Sequence, residues 1–164
     1  MVTGPEYFFS PDLIQFTEPD IKHLQEKVMK ILMFYAPEFW FRTYQKVLDA
    51  VEDRDIEEKT ENAIVIFYHV EAEDEEKRSS VLTKLVKNVK WLAGKFKTKN
   101  LVIHSFNHLS SSKASPDFSN SLIEDAKARL INAGFVITET PFGYLNEWKI
   151  HVAGESLAKV FKEF

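Results

Sequence analysis

The chain has 164 residues, 45% of them hydrophobic and 28% charged, with a net charge of −4. That length and mixture fit one folded domain with its own core and exclude a disordered chain. The slight acidity announces no nucleic-acid partner through bulk charge, and the absence of cysteine excludes disulfides, thiolate metal sites and a cysteine nucleophile.

Residues 1–16 are aromatic and turn-rich, with Pro5 and Pro11, and predict an arm packed on the body. "TEPDIKHLQEKV" predicts a helix: Thr17 can cap it, and Glu18, Pro19 and Asp20 suit its first turn. "KILMFYA" (30–36) reads as a buried strand, and "FWFRTYQ" (39–45) as its hairpin partner across Pro37 and Glu38. The acidic stretch 48–62 predicts a loop or short helix. "NAIVIFYHVEAE" (62–73) is a continuous apolar run rich in β-branched and aromatic residues, hence a buried strand. "DEEKRSS" follows as a solvated connection. In 80–97, Leu82, Leu85, Val89, Leu92 and Phe96 form one stripe of a helix and Lys84, Lys87 and Lys95 its opposite side.

"NLVIHSF" (100–106) predicts the next strand. A polar loop leads to Ser115 and Pro116, which can open a helix reaching about residue 133 and ended by Gly134. Two strands flank the turn "TPFGY", and "ESLAKVFKEF" predicts a closing helix. The expected fold is α/β: a mixed, partly antiparallel sheet covered by helices. No apolar run approaches the roughly 20 residues of a membrane span. The N-terminus lacks the basic-then-apolar layout of a signal peptide. No membrane partner and a cytoplasmic location are therefore expected.

The common catalytic signatures are absent: no Walker loop, G-x-G-x-x-G, H-E-x-x-H or G-x-S-x-G occurs. The five histidines show no paired metal spacing, and His104 and His108, four apart, span a strand end and a loop. No metal and no cofactor are expected. "HSFNHLSSS" (104–112) leaves the carboxyl end of a buried strand, where α/β sheets commonly hold ligands. Its serines have a plainer reading as turn and cap chemistry. The six lysines of 84–99 read either as a solvated helix face or as a contact for RNA phosphates.

Two segments carry a resemblance. "NHLSSSKASP", followed some thirty residues later by "NAGFVITETPFGYLNEWKIHVAGESLAKV", resembles the N-terminal editing domain of archaeal threonyl-tRNA synthetases. That family shows A-H-L-S-S, a helix ending in R-G-[FY]-x-V, then A-P-F-G-[YW]-Y-K-x-F-K-I-S. The frame runs without gaps through Gly134, Phe135, Val136, Pro141, Phe142, Gly143, Tyr144, Lys149, Ile150, Gly154, Leu157 and Ala158. "AIVIFYHVEAEDEE" is similar to the family's V-L-V-A-F-I-S-V-E-K-V-D-E strand through Phe67, Val70 and Glu71. The resemblance covers 29–164; residues 1–28 are an added arm and helix.

The resemblance implies a fold like that of D-aminoacyl-tRNA deacylases and hydrolysis of Ser-tRNA(Thr). It implies an attacking water held by a lysine, with a histidine and a glutamate nearby. The histidine falls on His108 and the turn tyrosine on Tyr144. The lysine falls on Asn146, and the glutamate on Lys159. A family alanine becomes Asn107, a proline becomes Ser105, and a pocket-wall valine stays as Val70. Phe106, Phe142 and Gly143 complete the implied substrate pocket; on the RNA-contact reading of the helix face, Lys84, Lys87 and Lys95 would be its tRNA contacts. Either Lys159 restores the missing cation beside His108 and Asn146, or the site no longer runs this reaction. The expected function is editing of mischarged tRNA, acting in trans because no synthetase body follows Phe164, with an altered aminoacyl group left open. The alternative is a non-catalytic module that binds tRNA or an amino acid, or a partner of a separate threonyl-tRNA synthetase. A homodimer is implied by the resemblance.

Overall fold

The structure, a computed structural model, describes residues 28–164. The arm and the helix expected before residue 28 lie outside the described residues. In chain order the elements are β1 (Lys30–Lys46), β2 (Glu57–His69), a 3-10 turn (Ala72–Lys77), α1 (Arg78–Lys95), β3 (Asn100–Ser105), α2 (Pro116–Asn132), β4 (Val136–Glu139), β5 (Tyr144–His151), a second 3-10 turn (Ser156–Ala158) and β6 (Lys159–Glu163). The strands form one mixed sheet in the order β4-β3-β2-β1-β5, with β6 also on β1. β4, β3 and β2 run parallel; β1 is antiparallel to β2, β5 and β6. The expected α/β fold with a mixed, partly antiparallel sheet and two covering helices is what forms. Among the described residues, no helix is long and apolar enough to cross a membrane.

The apolar run in β2 has its cause in double burial. Ile64, Ile66 and Tyr68 join Ile31, Met33, Leu101, Ile103 and the inner faces of both helices in one core. Ala63, Val65 and Phe67 point the other way, into a second core with Ala36, Phe39, Phe41 and Val102. Period-two alternation divides a strand between two faces, and a strand covered on both can be apolar throughout.

The expected hairpin at Pro37 does not form; β1 is one strand of 17 residues. Along one edge it pairs with β6 over 30–34 and with β5 over 38–46. Pro37 falls between those two partners, where the N–H it lacks is not called on by either strand. Opposite it stands Asn62, with φ of 49°. The sheet curls here. Trp148 pairs with Phe41, and Phe67 pairs with Leu32, nine residues away along β1. A straight strand would separate those positions by about 30 Å, yet the Trp148 and Phe67 rings lie 5.3 Å apart. Thr60 and Thr138 hydroxyls, 3.1 Å apart, likewise join the far end of β2 to β4 across the fold. The second core fills the concave side.

Three other expectations are corrected. The predicted loop at 48–62 is strand from Glu57 onward, because β1 continues and supplies its partner. The "solvated" DEEKRSS segment is a 3-10 turn entering α1, and Asp74 is buried. Its carboxylate accepts the N–H groups of Met29 (3.1 Å) and Glu71 (2.8 Å). Burial pushes the Asp74 carboxyl above the ordinary range despite these bonds. The predicted closing helix is a short turn and then β6, whose Val160 and Phe161 pair with Met33 and Leu32. Without β6, the first half of β1 would present an unpaired edge beside the half that β5 covers.

Candidate functional site

The curled sheet opens at the carboxyl end of β3 into a cleft of about 480 Å³. One wall is the end of β3 and its loop: His104, Ser105, Phe106, Asn107, His108, Lys113 and Ala114. The facing wall is Thr140, Pro141, Phe142, Gly143, Tyr144, Leu145, Asn146 and Trp148, with Val47 and Leu48 from the turn after β1. Pro116 and Ser119 of α2 complete it. The two segments that carried the resemblance thus meet across one cavity.

The β3 loop is pinned by backbone bonds. Phe106 N–H donates to Tyr68 O at 2.9 Å, and Ala114 N–H to Val70 O at 2.9 Å. Ser112 O meets the His69 Nε2 at 2.5 Å, and the Ser115 N–H donates to Glu75 at 2.9 Å. Ser115 also caps α2 through the Phe118 N–H, with Pro116 in the first turn, as the sequence predicts. The serine run is therefore largely anchor and cap. The opposite turn is held by Gly143, whose O accepts the Val47 N–H at 2.8 Å. Its φ of +80° is left-handed, and a Cβ there would stand 3.0 Å from Val51 Cγ1, so glycine is required twice over.

An aromatic floor lies beneath. Phe67 packs edge-on against His104 (5.0 Å) and Phe106 (5.5 Å), and against Trp148. His104 is buried, with Nδ1 2.8 Å from the Thr140 hydroxyl. Nδ1–H can donate to Thr140, whose own hydrogen faces Ile103 O at 3.5 Å, leaving Nε2 as an acceptor. Burial lowers the His104 pKa from 6.5 to about 4, so the ring is neutral near pH 7. A depressed folded-state value means that the unfolded chain binds the extra proton first. The contribution of His104 is present above pH 6.5 and is lost as the pH falls toward 4. Between pH 7 and pH 5 wild type is expected to lose about 2 kcal/mol more stability than His104→Gln. Urea unfolding of both at the two pH values checks this; parallel losses would contradict it.

The structure sorts the predicted site residues. Ser105, Phe106, Asn107, His108, Phe142, Gly143, Tyr144 and Asn146 come together in the cleft. His108 is exposed at its rim, its ring edge-on to Phe106 at 5.3 Å. Tyr144 lines the cleft, but its hydroxyl is engaged: it donates to Glu52 O (2.9 Å) and accepts the Arg54 N–H (2.8 Å). Asn146 donates through Nδ2 to Tyr144 O at 3.1 Å, while its buried Oδ1 has no partner among the described residues.

Val70 does not wall the cleft. It sits in the helix-side core, because it shares the strand parity of Ile66 and Tyr68. Lys159 does not join His108 and Asn146. It is exposed on β6 beside Phe34, its ammonium donating to Ala153 O at 3.0 Å, and it is absent from the cleft lining. Lys84, Lys87 and Lys95 are exposed on the outer side of α1, with the sheet between them and the concave face. His104 enters the sequence reading only as part of the HSFNHLSSS loop, and Lys113, Thr140 and Trp148 have no cleft role in it. Among the described residues no cluster of three or more His, Asp or Glu side chains could hold a metal.

Residues 29–164 match the model of the Archaea-specific editing domain of threonyl-tRNA synthetase. The chain belongs to this family. A threonine–tRNA ligase of Methanosphaera stadtmanae is 30% identical over 135 residues, covering 80% of this chain and 22% of the relative. A threonine–tRNA ligase of Thermococcus sibiricus is 27% identical over 135 residues, with the same coverages. The chain thus spans about a fifth of the length of these ligases. Among solved structures, a c-Myc DNA unwinding element binding protein shares the fold, with a TM-score of 0.59 at 12% identity, over 82% of this chain and 98% of that one.

Proposed function

We propose that this editing-family domain hydrolyses the ester of mischarged aminoacyl-tRNA, with Ser-tRNA(Thr) as its first substrate. The observation that carries the reading is the single cleft into which the β3 loop and the aromatic turn both project. Its size suits one aminoacyl group and the terminal ribose. A second, hydrolytic site answers a physical need: one methyl separates serine from threonine, and that discriminates by only about 1–3 kcal/mol.

In this reading a water attacks the ester carbonyl carbon, and the bond from that carbon to the ribose oxygen breaks. The proton leaving the water passes through His108 to the ribose oxygen, giving the free amino acid and a tRNA hydroxyl. The aromatic floor excludes bulk water, and Phe142 and Trp148 flank the aminoacyl side chain. Asn107 and Ser105 add polarity suited to a hydroxylated side chain. The role in translation carries with it a cytoplasmic location, tRNA as partner and a threonyl-tRNA synthetase as a working companion, with pairing into a homodimer.

One observation favours a second reading. Asn146 stands where the resemblance implies a lysine, and Lys159 is bonded elsewhere. The chain would then bind an acceptor end without cleaving it. Hydrolysis of tRNA(Thr) charged with serine, threonine or a panel of D-amino acids decides between them. Release of serine well above the threonine rate supports editing; binding without release from any substrate supports the second reading.

A further inference from the structure

We propose that Lys113 is the anion anchor of the cleft: its ammonium holds a phosphate of the tRNA acceptor end while the aminoacyl group occupies the pocket. The proposal rests on the editing reading above and gives it a residue that the family resemblance does not assign.

Of the residues lining the cleft, Lys113 is the only lysine or arginine, and none is an aspartate or glutamate. The other cations near the curled sheet are engaged. Lys46 is held by Asp53 at 2.7 Å and Val51 O at 2.9 Å, Lys159 by Ala153 O, and Lys149 sits 5.0 Å over the Trp40 ring. Lys113 is exposed and, among the described residues, has no hydrogen-bond or ion-pair partner.

Its backbone is nevertheless fixed. Ser112 O is tied to His69 and Ala114 N–H to Val70 O, one residue to either side. Ala114 is buried against the helix-side core. The side chain between these two ties lies along the cleft, on a backbone held from both sides. A substrate whose aminoacyl end enters the cavity must bring its last phosphates out past the rim. An unpaired ammonium on a fixed backbone, with no carboxylate in the lining, is suited to receive one of them.

The test compares wild type, Lys113→Ala and Lys113→Arg, each as the full chain, on Ser-tRNA(Thr) and on 3′-seryl adenosine, which carries no phosphate. Lys113→Ala is expected to raise KM for the tRNA roughly tenfold with kcat unchanged, and to flatten the log–log salt dependence by about one unit. Hydrolysis of seryl adenosine should not change, and Lys113→Arg should restore the tRNA values. An unchanged KM and salt slope would overturn the proposal. So would an equal fall in kcat on both substrates, which would put Lys113 at the ester instead. Affinity for uncharged tRNA(Thr), measured across salt, tests the anchor without any turnover. A flattened slope there, with no hydrolysis by wild type, would retain the anchor and sink the hydrolase reading.

Discussion

Lys30→Met is expected to lower the unfolding free energy by about 3–5 kcal/mol at pH 7, a large part of what a domain of this size has. The Lys30 ammonium lies 2.7 Å from Glu71 Oε1, and the Glu71 side chain is 0% exposed. Burial pushes the Glu71 carboxyl up, but Lys30 and the hydroxyls of Ser110 and Ser112 outweigh it and hold it below the ordinary carboxylate range. Removing the ammonium leaves a buried charge that two hydroxyls cannot balance. The sign with pH follows. In wild type the depressed value stabilises the fold above about pH 4.5 and fades as the pH falls through the folded value. In the variant burial prevails, the carboxyl protonates more readily, and the deficit shrinks toward pH 4. Urea unfolding of both proteins at pH 7 and pH 4 measures this. Equal midpoints at pH 7 would show that Glu71 is balanced without Lys30. Because Ser110 and Ser112 belong to the loop that carries His108, amide exchange in 104–115 should rise in parallel.

The fold was legible wherever local pattern and tertiary context agree. Helices α1 and α2 follow from their stripes and from the Ser115-Pro116 and Gly134 ends. β2 follows from an apolar run that both faces bury. The sequence misled where a distant partner decides. Pro37 reads as a turn, and only the handover from β6 to β5 along the edge of β1 makes it a strand residue. "LAKVFKE" suits a short helix as well as a strand, and the open edge at 30–34 settles it as β6.

The site divides in the same way. Both motifs that form the cleft could be read directly, since each sits at a strand end or turn. His104 was hidden in an apolar strand. Its face follows from the parallel register that pairs it with Phe67, so it becomes readable once Phe67 is known to face away from the helices. Lys113 left no sequence signal, because its direction depends on two ties beside it, Ser112 O to the His69 ring and Ala114 N–H to Val70 O. Lys159 misled because the resemblance sets the family glutamate there and the expected closing helix, which does not form, was to aim it into the site: as a strand residue it is placed by pairing with Phe34.

His108→Ala is expected to cut kcat/KM for Ser-tRNA(Thr) by about 10²–10⁴, the range that a positioned proton carrier contributes. The imidazole stands exposed at the cleft rim, edge-on to Phe106, while the His104 ring is buried, neutral and bonded to Thr140. The two histidines therefore divide the work. In the proposed reaction His104 shapes a dry, uncharged floor and His108, exposed at the rim, carries the proton. The kinetics should separate them. His108→Ala should lower kcat with KM little changed, because the ring meets a proton in flight rather than the bound ground state. Its stability should stay within about 0.5 kcal/mol of wild type, as for an exposed side chain. A loss confined to KM would make His108 a binding group. An undiminished kcat would move the proton transfer elsewhere, with the tRNA's own terminal hydroxyl as the remaining carrier next to the ester.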